Sequence, residues 1–208
     1  MKKLFRDIHL WLAMPAGIVI FVICITGAIM VFQKEILSLT GSVSMHEDAF
    51  LSVVMKLHRW LLDDSKTIGK LIVGISTIFF VFIIISGLGI YWRKNWKIDN
   101  FVVHRTKGTR RFIFDLHAVL AMYIFIILLM CALTGLMWSF QWYRDAIGFI
   151  FDVPVKKGAP IWDIVKAIHF GSYLGLFSKI ITCCAALIGA SLPITGYWMY
   201  LKKRKLIK

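Results

Sequence analysis

Arg6-Asp7-Ile8-His9-Leu10-Trp11-Leu12-Ala13 opens a long apolar run that reaches Thr26-Gly27, and Asp115-Leu116-His117 opens another that reaches Thr134-Gly135 at identical spacing. A histidine at the start of a membrane-length apolar segment, repeated in register, predicts a duplicated helical fold and a paired metal or cofactor site.

The rest of the composition agrees with membrane solvent. Hydrophobic residues make up 59% of the 208-residue chain and the mean hydropathy is +0.77. Apolar runs at about 10–32, 68–92, 112–140 and 177–201 each meet the roughly 20 residues a bilayer core requires. The expected fold is therefore all-α, a polytopic four-transmembrane-helix bundle. The first run follows Met1-Lys2-Lys3, as a signal peptide would, but it is too long and has no small-residue cleavage site. It reads as a retained transmembrane helix.

Charge sets the expected orientation. Lys and Arg gather at the N-terminus (Lys2, Lys3, Arg6), between the second and third runs (Arg93, Lys94, Lys97, Arg105, Lys107, Arg110, Arg111) and at the C-terminus (Lys202, Lys203, Arg204, Lys205, Lys208). By the positive-inside rule these segments, and both termini, face the cytoplasm. In the other two loops Glu35, Glu47, Asp48, Asp63, Asp64, Asp145, Asp152 and Asp163 offset the lysines. The net charge of +14 is explained by topology and anionic lipid; no nucleic-acid-binding motif accompanies it.

The duplication extends past the opening motif. Leu57-His58 corresponds to Ile168-His169, and Ser86-Gly87 with Tyr91 and Lys94 corresponds to Thr195-Gly196 with Tyr200 and Lys203. The chain is one membrane domain, 1–208, built from two tandem two-helix repeats, 1–100 and 101–208. Each repeat crosses twice, so the copies share one orientation about an axis along the membrane normal. Every long helix carries a Ser-Gly or Thr-Gly pair, and small residues of this kind let transmembrane backbones approach closely.

Topology decides how the repeated histidines pair. Gly27 lies about 27 Å from His9 by helix rise, so Gly27 and Gly135 share the level of His58 and His169, while Gly87 and Gly196 share that of His9 and His117. The feasible pairs are His9 with His117 on the cytoplasmic side and His58 with His169 on the outer side. Two imidazoles on facing helices, with Gly27, Gly135, Gly87 and Gly196 making room for a flat ring, fit bis-histidine b-type haem, and two pairs imply two haems. The four histidines would then be the axial ligands of the iron. Zinc fits less well because it usually takes three or four protein ligands, although Asp7 and Asp115 could add carboxylates on the cytoplasmic side. Otherwise these aspartates compensate helix N-terminal charge.

His46 and His104 do not recur and are expected as solvated loop residues. Cys24, Cys131, Cys183 and Cys184 fall inside the apolar runs and read as ordinary buried residues. Phe50, Leu51, Val53, Val54, Leu57, Trp60 and Leu61, and again Ile161, Ile164, Val165 and Ile168, recur at helical spacing, which predicts short amphipathic helices in the outer loops that present His58 and His169. Trp11, Trp92, Trp142 and Trp198 suit an interfacial aromatic belt.

The Arg6–Ala13 stretch with Thr26-Gly27, Leu57-His58-Arg59 with Gly69, Asp115-Leu116-His117, and Ile168-His169 with Gly175 together resemble the PepSY-associated transmembrane proteins, over nearly the whole chain. That family includes inner-membrane ferric-siderophore reductases, so the resemblance implies a bacterial cytoplasmic-membrane oxidoreductase with haem on His9, His117, His58 and His169. Many members insert a folded PepSY domain in an outer loop; segment 33–67 is too short for one. The expected activity is electron transfer from a quinol or a cytoplasmic reductase to an external acceptor such as a ferric chelate. No catalytic triad, phosphate loop or nicotinamide fingerprint is present. Lysines and Arg59 on the outer side could attract an anionic chelate. The alternatives are a haem-free metal-ion transporter subunit, which would want polar groups at the bilayer midplane, and a regulatory or structural subunit of a larger complex.

Overall fold

The computed structural model describes residues 1–206 other than Arg93, Asn95, Trp96, Lys107 and Lys157. Of the cations assigned above to cytoplasmic loops, Arg93, Lys107 and Lys208 lie outside the described residues. Among those described, the secondary structure is helical throughout: α1 (Lys2–Met30), α2 (Gln33–Thr40), α3 (Ala49–Trp60), α4 (Ile68–Tyr91), a 3-10 turn at Ile98–Phe101, α5 (Thr109–Ser139), α6 (Gln141–Phe151), α7 (Pro160–His169) and α8 (Gly175–Lys203). The four long helices α1, α4, α5 and α8 are apolar and long enough to cross a membrane.

Those four form a ring. α1 packs on α4 and α8, and α5 packs on the same two, which leaves α1 diagonal to α5. The start of α1 meets the end of α4, and the start of α5 meets the end of α8, through side-chain hydrogen bonds. The start of α1 and the end of α8 therefore lie at one end of the bundle, with α2, α3, α6 and α7 at the other. The first pole is called the terminal end below and the second the loop end.

The middle of the bundle is an apolar core of Ala16, Ile20, Cys24, Phe80, Ile124, Leu128, Ala132, Ala185 and Ala190. Lipid supplies no hydrophobic drive between helices, so packing of small residues has to hold them together. Gly189 lets Leu128 and Cys24 approach, and at Gly17 a Cβ would come within 2.5 Å of the Tyr197 hydroxyl. That hydroxyl donates to the Met14 carbonyl at 2.6 Å, next to Pro15 of α1. The outer surface carries Ile18, Phe82, Ile126 and Ile194, each more than half exposed, which suits hydrocarbon and would be costly in water.

α1 and α5 start earlier than their apolar runs. α1 begins at Lys2 and α5 at Thr109, because their polar first turns contain no helix breaker. His9 and His117 thus stand inside their helices, not at the mouths. The amphipathic segments predicted around His58 and His169 are α3 and α7. Asp48 caps α3, accepting from the Leu51 amide at 2.8 Å, and Pro160 starts α7, where its missing N–H costs nothing. α3 packs on α1 and α4, with Val54, Met55 and Trp60 against Met30.

Two helices were not expected. α2 ends at Gly41 in the left-handed region. α6 follows α5 after a single extended residue, Phe140, and Arg144 reaches back to the Met137 carbonyl at the end of α5. α6 buries none of its residues and exposes Trp142, Phe149, Ile150 and Phe151.

Candidate paired-histidine site

The bundle brings the four repeated histidines together in two pairs. His9 and His117, on the diagonal helices α1 and α5, have ring centroids 6.2 Å apart with planes at 80°. His58 on α3 and His169 on α7 have centroids 6.4 Å apart with planes at 67°. The first pair lies toward the terminal end and the second at the loop end, and about 25 Å of helix rise from His9 to Thr26 separates the levels.

Each ring is gripped by the hydroxyl-glycine pair of another helix. Nδ1 of His58 lies 2.9 Å from Thr26 Oγ1, that of His169 3.0 Å from Thr134 Oγ1, that of His117 2.9 Å from Thr195 Oγ1, and that of His9 3.3 Å from Ser86 Oγ. His9 and His169 add backbone carbonyls, Ile83 and Cys131, both at 3.0 Å. These carbonyls sit three residues before the serine or threonine on the same helix.

The hydroxyls decide the tautomer. Thr26, Thr134 and Thr195 spend their single O–H on carbonyls of their own helix, Val22 at 2.7 Å, Met130 at 2.6 Å and Ser191 at 3.1 Å among them. Ser86 does the same toward Ile83 at 3.0 Å. Each oxygen is then left as an acceptor, so Nδ1 carries the hydrogen and Nε2 keeps its lone pair. Among the described residues no hydrogen bond engages any of the four Nε2 atoms. This is the arrangement a metal-binding imidazole needs, with the second nitrogen tied to an oxygen that fixes the ring.

The glycines lie directly against the imidazoles. A Cβ built on Gly27 would lie 3.2 Å from His58 Cε1, on Gly87 3.3 Å from His9 Cε1, on Gly135 3.2 Å from His169 Cε1, and on Gly196 3.5 Å from His117 Cε1. All four rings are half-buried. Burial, reinforced for His58 by the facing His169, pushes His58 down to about 3, and burial pushes His169 down to about 4. The loop-end pair is therefore neutral at physiological pH.

The aspartates do not join these pairs. Asp7 is half-exposed beside Arg6. Asp115 is buried at 1% exposure and accepts from the His104 amide at 3.1 Å, His104 Nδ1 at 2.9 Å and Arg111 Nε. His104, expected to be solvated, is thus folded under the loop and only 15% exposed, because a buried carboxylate needs donors. His46 is exposed as expected. Among the described residues no three His, Cys, Asp or Glu side chains gather as a metal site, which removes the ligand count zinc would want.

Sequence reasoning missed two contributors. The serine and threonine before each glycine were read as packing residues; their invariable hydroxyl was the available signal. Trp138 and Trp162 merged into an apolar run and an amphipathic face, yet Trp138 lies 5.0 Å from the His169 ring and 5.1 Å from Trp162. Trp11, Trp92 and Trp142 are exposed near helix ends, as the aromatic-belt reading expects.

The family comparison covers almost all of this architecture. The description "PepSY-associated TM region" matches residues 6–49, 38–160 and 151–203, spans that together contain all four histidines and all four hydroxyl-glycine pairs. No match was found among curated proteins or solved structures. With its helices, its internal duplication and its paired histidines covered by that match, the chain belongs to the PepSY-associated transmembrane family.

Proposed function

We propose that the protein is a di-haem membrane cytochrome b of the bacterial cytoplasmic membrane, carrying electrons from the terminal end, on the cytoplasmic side, to an acceptor at the loop end. The carrying observation is that all four imidazoles, in two facing pairs, have Nδ1 tied to a hydroxyl and Nε2 unengaged.

The donor set fits haem. Each pair would present two imidazoles from different helices with Nδ1 tied and Nε2 unengaged, the donor set of a bis-histidine haem. The ring-centroid separations are 6.2 and 6.4 Å. His9 with His117, and His58 with His169, would hold one haem each, and bound haem would supply a reversible one-electron Fe(III)/Fe(II) couple.

The remaining work belongs to the chain. The serine and threonine hydroxyls hold the proton at Nδ1 and so fix the ring plane. The apolar cluster from Ala16 to Ala190 fills the bundle between the two levels, beside the buried hydroxyls of Ser76 and Thr77 on α4. α3 and α7 carry the second pair to the loop end, where an external ferric chelate would be met. Quinol or a cytoplasmic reductase would supply electrons at the terminal end, which carries the basic segments and by the positive-inside rule would face the cytoplasm.

The test is the absorption spectrum of the protein purified after haem supplementation. A Soret band that shifts on dithionite reduction, with about two b-type haems per chain by pyridine haemochrome, is expected from paired sites. A colourless protein would sink the proposal.

A further inference from the structure

The two copies treat their loop-end histidines alike in hydrogen bonding and differently in packing. His169 is held by four residues of α5 within two turns: the Cys131 carbonyl and Thr134 hydroxyl on Nδ1, Gly135 under Cε1, and the Trp138 indole tilted 42° against the ring at 5.0 Å. Trp162 of α7, seven residues before His169, backs Trp138 at 5.1 Å and 52°. Phe170 adds an edge contact at 5.7 Å. At the equivalent places the first copy has Met30, four residues after Thr26, and Leu51, seven before His58. Both are buried, at 6% and 0% exposure. Where Phe170 follows His169, Arg59 follows His58 and turns over the Trp60 ring.

The chemistry of these substitutions has a direction. Methionine is flexible and fills space without fixing it, whereas a stacked indole has few rotamers and a preferred tilt against a neighbouring ring. His169 therefore has an indole wall beside its hydrogen bond, whereas the first copy carries no indole at the corresponding positions.

We infer that Trp138, backed by Trp162, is a positioning residue that fixes the ring plane of His169 as a ligand to the loop-end haem, a constraint with no counterpart beside His58, where Met30 and Leu51 stand at the equivalent positions. This rests on the haem reading proposed above.

The test uses full-length protein loaded with iron protoporphyrin IX and read by low-spin ferric EPR and redox titration. Trp138→Met installs the residue of the first copy and should shift the g-values and midpoint of the loop-end haem while leaving the terminal-end haem in place. Trp138→Phe keeps a ring against His169 and should restore most of the wild-type signal. A Trp138→Met spectrum superimposable on wild type, or equal shifts of both haems, overturns the inference. Should Trp138→Met fail to accumulate, Trp162→Leu removes only the backing indole and should shift the same signal by less; no shift overturns it equally. Wild-type protein that takes up no haem overturns the parent reading and this one together, whereas loaded wild type with an unmoved Trp138→Met signal overturns this one alone.

Discussion

Thr134 Oγ1 donates to the Met130 carbonyl at 2.6 Å and lies 3.0 Å from His169 Nδ1, so one hydroxyl both closes a turn of α5 and, together with the Cys131 carbonyl, fixes which nitrogen of a distant histidine is free. Thr134→Val keeps the shape and deletes the acceptor. Ligand-orienting partners of this kind are worth about 10- to 100-fold in metal affinity, and haem at the loop end should weaken on that scale. Thr134→Ser should retain binding. Haem retention during gel filtration, compared between the two variants, checks this.

The glycines predict an order. Alanine at Gly27 or Gly135 puts a Cβ 3.2 Å from an imidazole carbon, against 3.5 Å at Gly196. Gly27→Ala and Gly135→Ala should therefore displace their histidines and lower haem content at the loop end, while Gly196→Ala is the best tolerated of the set. Haem-to-protein ratios that rank Gly196→Ala worst would contradict the packing argument.

Asp7 and Asp115 are equivalent in the repeat and unequal in the fold. Asp115→Ala leaves the His104 amide and ring N–H without their acceptor in a buried place, at about 1–3 kcal/mol for each unsatisfied group. Asp7→Ala removes only a half-exposed carboxylate and should change stability little. Thermal unfolding midpoints of the two variants in the same detergent should separate clearly.

Acid should loosen the entry to α4. The Ser65 hydroxyl and the Gly69 amide, helped by the Ser65 and Thr67 amides, hold the Asp63 carboxyl down to about 2, below its ordinary 3.8. A depressed carboxylate stabilises the fold above its unfolded value and loses that contribution as pH falls, here from about 4 through about 2. The unfolding midpoint of wild type should drop across that window, and the drop should be smaller in Asp63→Asn.

How much was legible in advance follows from periodicity. His9, His117, His58 and His169 were paired correctly in space because register and helix rise depend on residue counts alone. The grip on each ring was only half legible: the glycine showed as a gap, but the contact it makes with the imidazole, and the use made of the adjacent hydroxyl, required the packing of α1 on α3 and α4 and of α5 on α7 and α8. His104 could not be placed because its partner Asp115 sits across a loop whose path no pattern encodes. α6 was hidden by continuity of apolar residues, since a single extended residue at Phe140 is enough to turn the chain. Trp138 was hidden for the same reason.

The most direct measurement of the central claim is haem content and reduced-minus-oxidised spectrum across the four single variants His9→Ala, His117→Ala, His58→Ala and His169→Ala. The paired geometry predicts about two haems in wild type and one in each variant, with His9→Ala and His117→Ala losing the same spectral component and His58→Ala and His169→Ala the other. A wild type without haem, or a component lost jointly in His9→Ala and His58→Ala, would contradict it.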